Sequence, residues 1–444
     1  GAVGMSFPRY PEYKDSGVAW LGEVPAHWQA KRIGYFFEER REKVSDKDFD
    51  ALSVTKNGVV PQLETAAKTD DGDNRKKVCA GDFVINSRSD RKGSAGAADR
   101  DGSVSLISTV LRPRGEVEIK FAHHLLRSEL FQEEFYRFGK GIVADLWSTN
   151  FTEMRNIVLA IPPLQEQRAI ATFLDRETAK IDALVAEQEK LIALLQEKRQ
   201  AVISHAVTKG LDPNVTMKDS GVEWLGEVPA HWEVTALKRH WTAADCKHVT
   251  AEFVEDGIPL ASIREVQSRW VELEEAKRTT EYFYQLLIEG GRDPRPGDLI
   301  FSRNATVGEV AQVHPDHQPF AMGQDVVLLR RIAKAASPDF LQLVIRSSVV
   351  TQQLALCMVG STFKRINVEE IRSLVIAFPP PDEQAKIANH LLAQAEIFDQ
   401  LIGEALLSSE LLQERRTALI SAAVTGQIDV RGLAGGANAP DLIA

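Results

Sequence analysis

The sequence predicts an α+β protein in which two homologous α/β domains are separated by two long antiparallel helices. The helices are expected to form an intramolecular coiled coil, which gives the chain a pseudo-twofold, cyclic arrangement. Three observations predict this fold: a tryptophan motif that occurs twice, a helical segment that occurs twice, and two variable stretches with a similar α/β pattern. A chain of 444 residues has room for roughly two to four domains.

The tryptophan motif is nearly identical in its two copies. KDSGVAWLGEVPAHW covers Lys14–Trp28 and KDSGVEWLGEVPAHW covers Lys218–Trp232, with one difference, Ala19 against Glu223. Large aromatic side chains mixed with turn-forming Gly and Pro are more typical of packing anchors than of ligand contacts. We therefore expect structural roles for the motif's tryptophans and histidines, namely Trp20, Trp28, Trp224, Trp232, His27 and His231.

The helical segment repeats without a gap, residues 161–212 aligning with 378–429 at an offset of 217. Apolar residues recur at spacings of three and four, as expected of one helix face. They are Leu174, Ile181, Leu184, Leu191, Leu195 and Val202 in the first segment, and Leu391, Phe398, Leu401, Ala405, Leu412 and Leu419 in the second. Each segment follows prolines and ends near a glycine, so each predicts a helix of about 45 residues, roughly 65 Å long.

Each long helix has one apolar stripe, and the other helix is the nearest partner to cover it. The long connection between them favours an antiparallel pair. A coiled coil between two chains remains an alternative, because heptads alone fix neither partner nor direction. The predicted boundaries are 5–161 for the first motif and domain, 162–210 for the first helix, 211–378 for the second motif and domain, 379–427 for the second helix, and 428–444 for a flexible tail.

The stretches between the repeated frames, 29–160 and 233–377, differ almost throughout but share a pattern of elements. GDFVINSR (81–88) and GDLIFSR (297–303) each predict a short strand, and VSLISTVLRP (104–113) and QDVVLLRR (324–331) predict further strands. Residues 121–138 and 338–358 each predict one helix. Variable loops on a retained scaffold are typical of recognition sites.

Composition limits the function classes. The net charge is −10, no apolar run is long enough to span a bilayer, and three scattered cysteines favour neither disulfides nor a thiolate metal site. Residues 75–114 nevertheless hold nine basic and four acidic side chains, a net charge of +5. NSRSDRKGSAG (86–96) mixes cations with Ser, Asn and Gly, as DNA contacts require. SRNATVG (302–308), STFKRIN (361–367), Arg330, Arg331 and Lys334 are the second domain's candidates, with a solvated charged loop as the alternative for each.

Motifs for catalysis are weak or absent from the sequence. It contains no Walker phosphate-binding motif and no amino-methyltransferase loop. Asp256, Glu275 and Lys277 resemble a nuclease pattern, but they have no counterpart in the first copy. His314 with His317, and Cys246 with His248, offer two ligands each, fewer than a metal site normally needs. We predict no catalytic residue and no metal site.

The duplicated GVxWLGEVPAHW, the PPxxEQ entrance to each long helix and the LQE[KR]R inside it resemble the specificity subunit of type I restriction-modification enzymes, over residues 10–429. The resemblance implies a non-catalytic cytoplasmic protein that recognises double-stranded DNA, with one target-recognition domain for each half of an asymmetric, bipartite sequence. It implies helices that act as a spacer and as the docking site for two modification subunits, which carry S-adenosylmethionine and methylate adenine. In the full restriction enzyme a motor and nuclease subunit joins them. No cofactor is expected in this chain, and no membrane.

Candidate DNA-binding residues follow from this resemblance and from the basic loops. Arg88, Arg91 and Lys92 are expected on a DNA-facing loop equivalent to that of Ser302, Arg303 and Asn304. Lys140, Lys364 and Arg365 are assigned to phosphate, and Lys76 completes the set. Two alternatives remain: a stand-alone metal-dependent endonuclease using Asp256, Glu275 and Lys277, and a coiled-coil scaffold that binds no nucleic acid.

Overall fold

The computed structural model describes residues 7–62, 72–141, 147–333, 335–358 and 365–433. The chain divides into two compact units. The first unit joins residues up to Glu189 to those from Leu407 onward, and the second unit is Lys190–Leu406. Each unit therefore contains one globular domain, one half of the first long helix and one half of the second.

The first unit is a mixed α/β structure. Its helices are α1 (Ile33–Phe36), α2 (Ile119–Leu125), α3 (Glu129–Arg137), α4 (Phe151–Met154) and the beginning of α5 (Leu164–Lys209). Its strands are β1 (Tyr13–Asp15), β2 (Glu23–Pro25), β3 (Gln29–Arg32), β4 (Phe37–Glu39), β5 (Lys43–Val44), β6 (Leu52–Thr55), β7 (Gly58–Pro61), β8 (Arg75–Val78), β9 (Phe83–Asn86), β10 (Ala95–Ala97), β11 (Gly102–Val104), β12 (Ser108–Pro113) and β13 (Val158–Ile161).

The second unit has the same plan. Its strands are β14 (Met217–Asp219), β15 (Glu227–Pro229), β16 (Glu233–Ala236), β17 (Trp241–Asp245), β18 (Phe253–Val254), β19 (Ile258–Ala261), β20 (Arg278–Thr279), β21 (Leu299–Ser302), β22 (Val310–Gln312), β23 (Ala321–Met322), β24 (Val326–Arg331) and β25 (Val375–Phe378). Its helices are α6 (Glu281–Ile288), α7 (Pro338–Ile345), α8 (Ser348–Cys357), α9 (Val368–Arg372) and the beginning of α10 (Pro381–Val424).

Corresponding four-stranded sheets lie at the centre of the two domains. The strand order is β4-β12-β9-β10 in the first unit and β17-β24-β21-β22 in the second. Val110 pairs with Val84 in the first sheet, and Leu328 pairs with Ile300 in the second, both antiparallel. In each domain the last strand pairs antiparallel with an early one, β13 with β3 and β25 with β16. The shared strand order confirms the prediction of two homologous α/β domains.

The helix predicted over 121–138 is interrupted, and so is its counterpart over 338–358. The structure has two helices in each place, α2 and α3 in the first unit and α7 and α8 in the second. The hydroxyl of Ser128 accepts a hydrogen bond from the Phe131 amide, which caps the start of α3. Ser347 precedes α8 and donates its hydroxyl to the Val344 carbonyl, 2.6 Å away. Serine side chains compete with the helix for backbone groups, so a serine inside an apolar pattern can begin a new helix.

The two long helices are confirmed, and in each unit they pair antiparallel. In the first unit the Arg416 Nε atom lies 2.8 Å from Asp182 Oδ1. In the second unit Arg199 pairs with Asp399 at 2.5 Å. The start of α5 shares a core with the end of α10 in the first unit, and the end of α5 shares a core with the start of α10 in the second.

Part of the predicted apolar stripe is exposed. Leu174, Ile181, Leu391, Phe398, Ala405 and Leu419 are buried as expected, whereas Leu191 and Leu401 are 44% and 42% exposed. The buried stripe residues of α10, Leu391, Phe398, Ala405 and Leu419, are separated by multiples of seven residues. One line of side chains therefore carries the burial of this stripe, and Leu401 lies outside that line.

Each tryptophan motif packs against the place where one long helix begins and the other ends. In the first unit Trp28 is fully buried, and its Nε1 donates to Glu166 Oε1 of α5 at 2.9 Å. A Cβ atom at Gly426, just beyond α10, would collide with Pro25 of the same motif, so only glycine fits there. In the second unit Trp232 is buried beside Gly210, which follows α5. The predicted cyclic arrangement and the packing role of Trp28 and Trp232 are thereby confirmed.

The C-terminal segment is packed as far as the structure describes it, which differs from the expected flexible tail from 428. Val430 is fully buried, and the Asp429 amide donates to the Pro8 carbonyl at 2.7 Å. Residues 434–444 lie outside the described part of the chain.

Among the described residues, no single helix is long and apolar enough to cross a membrane. Taken together, α7 and α8 have the length and composition of a membrane span, but the pair is bent by 58°.

The hydrogen bonds that join each tryptophan motif to its long helix are expected to contribute differently to the free energy of unfolding. Glu166 is 6% exposed and accepts from both His27 Nε2 and Trp28 Nε1, whereas Glu383 is 29% exposed and accepts from His231. Glu166→Ala should lower the free energy of unfolding by about 2 kcal/mol, because it leaves a buried indole N–H without an acceptor. Glu383→Ala should cost roughly 0.5 kcal/mol, as for an exposed pair. Urea unfolding followed by tryptophan fluorescence measures both, and equal losses would contradict the assignment.

Candidate nucleic-acid interface

In each unit the loop after a central strand meets the segment that leads to the last short helix. In the first unit an isolated bridge pairs Arg88 with Ser148, and the Thr149 amide donates to the Ser87 carbonyl at 2.9 Å. In the second unit the bridge pairs Asn304 with Arg365, and the Ile366 amide donates to the Arg303 carbonyl at 3.0 Å. We call this backbone pairing the loop bridge. The two predicted loops are therefore in equivalent places in the fold, and their contact with DNA stays a prediction.

The first unit presents several exposed cations around its loop bridge. The guanidinium group of Arg88 is exposed and has no hydrogen-bond or ion-pair partner within the described part of the chain. Arg91 is 67% exposed and lies 3.6 Å from its neighbour Asp90. Lys140 bridges to Ser148 through its backbone, and its ammonium group, 79% exposed, lies 3.3 Å from Glu153. These side chains can reach a bound polyanion.

Two predicted residues of the first unit have intramolecular partners. Lys92 forms an ion pair with Glu133, and its ammonium group lies 5.5 Å from the centre of the Tyr136 ring. Lys76 is 16% exposed, and its Nζ donates to the Ser108 carbonyl at 2.8 Å, with Glu39 at 3.4 Å. Lys76 therefore links strands of the domain, and its contact with DNA stays a prediction.

Arg303 is buried beneath the loop of the second unit. It is 4% exposed, with Nη1 lying 3.3 Å from Asp245 Oδ2 and Nη2 lying 3.3 Å from His248 Nε2. A buried guanidinium group with these partners supports the loop from below. The predicted contact of Arg303 with a base stays a prediction that would require the side chain to leave this cluster.

The same cluster brings together three potential metal ligands. Ligand atoms of Asp245, Cys246 and His248 lie within 4.8 Å of one another, the single such group among the residues that the structure describes. Burial raises the pKa of the Cys246 thiol, which disfavours the thiolate that binds metals. The guanidinium group of Arg303 already supplies a positive charge next to the Asp245 carboxylate. The surroundings of the three residues therefore fit an arginine better than a metal ion.

The loop of the second unit is held in a strained conformation. Ala305 and Asp325, with φ of 57° and 63°, are the two residues other than glycine with positive φ in the described part of the chain. Positive φ is uncommon for residues with a Cβ atom and clusters at functional sites. The buried hydroxyl of Ser302 lies 3.0 Å from Thr306 Oγ1 and 3.2 Å from the Asn304 carbonyl, which fixes the turn.

Asp325 connects both sides of the second loop bridge, a role that was not predicted from the sequence. Its carboxylate accepts from Asn304 Nδ2 at 3.2 Å and lies 3.5 Å from Arg365 Nη2. Its carbonyl accepts from the Arg303 amide at 3.0 Å. The polar tripeptide Gly323-Gln324-Asp325 just before a strand was the available signal. Lys364, also predicted here, lies outside the described residues.

The residues of the endonuclease hypothesis do not form a site. Asp256, Glu275 and Lys277 are all exposed, and the ammonium group of Lys277 lies 4.5 Å from the Phe253 ring centre. The one converging group of potential metal ligands among the described residues includes neither Asp256 nor Glu275. The geometry gives no support to metal-assisted cleavage by this chain.

A family model described as the type I restriction modification DNA specificity domain matches residues 25–193 and 281–403, well over half of the chain. The chain belongs to this family. Among curated specificity subunits, that of the EcoKI enzyme of Escherichia coli K12 is 24% identical over 385 residues, covering 83% of this chain and 79% of its own length. That of the MjaVIII enzyme of Methanocaldococcus jannaschii is 22% identical over 427 residues, covering 92% and 95%.

Solved structures share the fold of this specificity protein. The HsdS subunit of Thermoanaerobacter tengcongensis superposes with a TM-score of 0.52 at 17% identity, covering 91% of this chain and 98% of its own. A chain from a study of complex assembly and conformational transition in a type I R-M system gives a TM-score of 0.64 at 17% identity, covering 90% and 98%. These structures show the fold, and the match to the DNA specificity domain is what identifies this chain as a DNA-recognition protein of the type I restriction-modification class.

Buried Arg303 and exposed Arg88 should respond differently to truncation. Arg303→Ala leaves the Asp245 carboxylate without its cation. Breaking a buried ion pair lowers the free energy of unfolding by about 3 kcal/mol, and we expect somewhat less here because Asp245 is partly exposed. Arg88→Ala should change the free energy of unfolding by no more than about 0.5 kcal/mol. Thermal unfolding of both variants separates the two roles. A stable Arg303→Ala protein would show that the cluster does not support the loop.

Proposed function

We propose that each unit of this specificity protein recognises one half of a bipartite, asymmetric sequence in double-stranded DNA. The observation that carries the proposal is the loop bridge, which has the same backbone pairing but different side chains in the two units: Arg88 with Ser148, and Asn304 with Arg365. One scaffold with two different sets of side chains can recognise two different sequences. Exposed cations suit a DNA surface, and the described residues provide Arg88 and Lys140 at the first bridge and Arg365 at the second.

The two long helices are proposed to act as the spacer between the half-sites. They have 46 and 44 residues. Successive turns of one DNA face are about 34 Å apart, or 10 to 10.5 base pairs, so half-sites separated by about one turn fit two recognition domains on a common face.

Methylation and cleavage of DNA would be carried out by other subunits. Relatives of this chain are named as specificity subunits of restriction enzymes, one component of each enzyme. Two modification subunits would bind this chain, carry S-adenosylmethionine and methylate adenine, and a motor and nuclease subunit would complete a restriction enzyme. This chain then needs no cofactor of its own. It would bind DNA and its cysteines are free, both consistent with the cytoplasm.

Exposed leucines on the long helices are proposed to bind the modification subunits. In the second unit Leu191 and Leu194 of α5 are 44% and 52% exposed, and Leu406 of α10 is 51% exposed. In the first unit Leu407 and Leu411 of α10 are 56% and 55% exposed. Several large apolar side chains exposed on the two long helices are typical of a protein–protein interface.

The purified chain should bind duplex DNA in a salt-dependent way and leave it intact when magnesium is present. If Lys140 contacts a phosphate, Lys140→Gln should lower the slope of log affinity against log salt by about 1 and weaken all sequences alike. Lys190→Gln, on α5 and outside both loops, is the matched control. Fluorescence anisotropy at several salt concentrations gives the slopes. Cleavage by the chain alone would support the endonuclease alternative, and the absence of salt-dependent binding would support the scaffold alternative.

Charge introduced on the exposed helix faces should weaken subunit assembly. Leu191→Glu with Leu194→Glu should reduce co-purification of the modification subunits at least about tenfold, because the interface would bury carboxylates without partners. Binding of DNA by the chain alone should be unchanged. Lys190→Glu on the same helix is a control for added negative charge. Undiminished co-purification of the leucine variant would place the docking surface elsewhere.

A further inference from the structure

We propose that Arg88 in the first unit and Arg365 in the second are corresponding specificity-determining residues, and that each recognises a guanine in the major groove of its half-site. This inference rests on the proposed function and names the base class that each unit selects. Sequence alignment does not pair these two arginines. The loop bridges do, because they place the arginines on opposite sides of the same backbone pairing.

The equivalence of the two positions follows from the sheets. β9 and β21 occupy the same place in their four-stranded sheets and end at Asn86 and Ser302. The second residue beyond each end is a bridge residue, Arg88 in one unit and Asn304 in the other. The partners across the bridges are Ser148 and Arg365. One arginine is therefore present at each bridge, contributed by the outgoing loop in the first unit and by the returning segment in the second.

Both arginines meet the requirements of base recognition. Arg88 is exposed, and the Arg365 side chain is 49% exposed, so both guanidinium groups can reach a ligand. Each backbone is fixed by the bridge, which limits the entropy lost when the side chain binds. A planar guanidinium group offers paired N–H donors that match the O6 and N7 acceptors of guanine, the commonest specific contact of arginine with DNA.

The surroundings of Arg365 favour a base over a phosphate. The Asp325 carboxylate lies 3.5 Å from Arg365 Nη2 and would repel a phosphate bound at the same guanidinium group. A guanine edge has no net charge, so the repulsion is much weaker than for a phosphate. Asp325 is therefore a positioning residue, which orients the Arg365 fork and the Asn304 amide together. This favours a base contact for Arg365 over the phosphate contact expected from the sequence.

The first unit has no carboxylate in the corresponding position. The Ser87 amide donates to the Ile107 carbonyl at 3.2 Å, as the Arg303 amide donates to that of Asp325, so Ile107 and Asp325 correspond. Ile107 is 37% exposed. Two other cations near the bridges are less suited to a base, because Lys92 is paired with Glu133 and Arg303 is buried. The two arginines should therefore share a target but differ in their dependence on an acidic neighbour.

The test is selection from a duplex DNA library with a randomised stretch, using the full chain purified together with its modification subunits. The wild-type complex should enrich a bipartite sequence. Arg365→Ala should lower the preference for guanine at one position of one half roughly 5- to 150-fold, with the other half unchanged. Arg88→Ala should do the same in the other half. Arg365→Lys and Arg88→Lys, which keep the charge but lose the fork, should also lose most of the guanine preference.

Asp325→Asn tests the positioning role, because asparagine tolerates positive φ but lacks the charge. It should lower the guanine preference severalfold in the half affected by Arg365→Ala and leave the other half and the thermal unfolding unchanged. Asp316→Asn is the matched control, since the Asp316 side chain is 90% exposed and faces His314. Loss of preference in both halves, or none in either, would overturn the role of Asp325.

Three outcomes decide the main inference. Uniform weakening across all sequences in the arginine variants would identify phosphate contacts and overturn it, while leaving the proposed function intact. Effects of both arginine variants on the same half-site would overturn the correspondence of the two bridges. A wild-type complex that enriches no bipartite sequence would refute the proposed function itself, and the inference with it.

Discussion

The antiparallel pairing of the two long helices within each unit is the constraint on which the rest of the structure depends. Each helix has an apolar stripe that must be covered, and covering it brings the start of one helix against the end of the other. Both helix ends then present apolar surface and unpaired backbone groups at one place. The tryptophan motif fills that place in both units, which explains why fifteen residues are repeated almost unchanged while the domains between them diverge.

The fold was largely predictable because short-range chemistry and tertiary packing agree over most of the chain. Prolines before α5 and α10 and glycines after them mark the helix ends, and short apolar segments mark the strands of the central sheets. Predictions failed where a local preference competed with a periodic pattern. Ser347 divides an apolar helical pattern, and the exposed Leu191 is apolar without lying in the helix–helix contact. Periodicity reports which side chains could be buried together, and the contacts available decide which of them are.

The candidate site was less predictable, since charge can be counted in a sequence but exposure cannot. The basic stretch around Arg88 does lie on a loop, yet Lys76 and Arg303, of the same residue class, are held by Glu39 and Asp245. Asp325 escaped notice because an acidic residue is not expected at a DNA surface. Its role depends on a neighbour 40 positions later, Arg365, and on the bridge that brings the two segments together. Such relationships follow from topology and have no local sequence signal.

The loop bridge shows how one backbone pairing can carry two different sets of side chains. A residue with a Cβ atom at positive φ costs about 1 to 3 kcal/mol, and Asp325 and Ala305 both have this conformation. The contacts of Asp325 with Arg303, Asn304 and Arg365 offset that cost within the loop itself. In the first unit, the N–H···O=C bond from Ser87 to Ile107 is kept with an apolar side chain in place of Asp325. Because the backbone pairing is independent of these side chains, the residues at each bridge can change without disturbing the sheet below. Under the proposed function, each unit can therefore acquire a new half-site while the helices and tryptophan motifs remain the same.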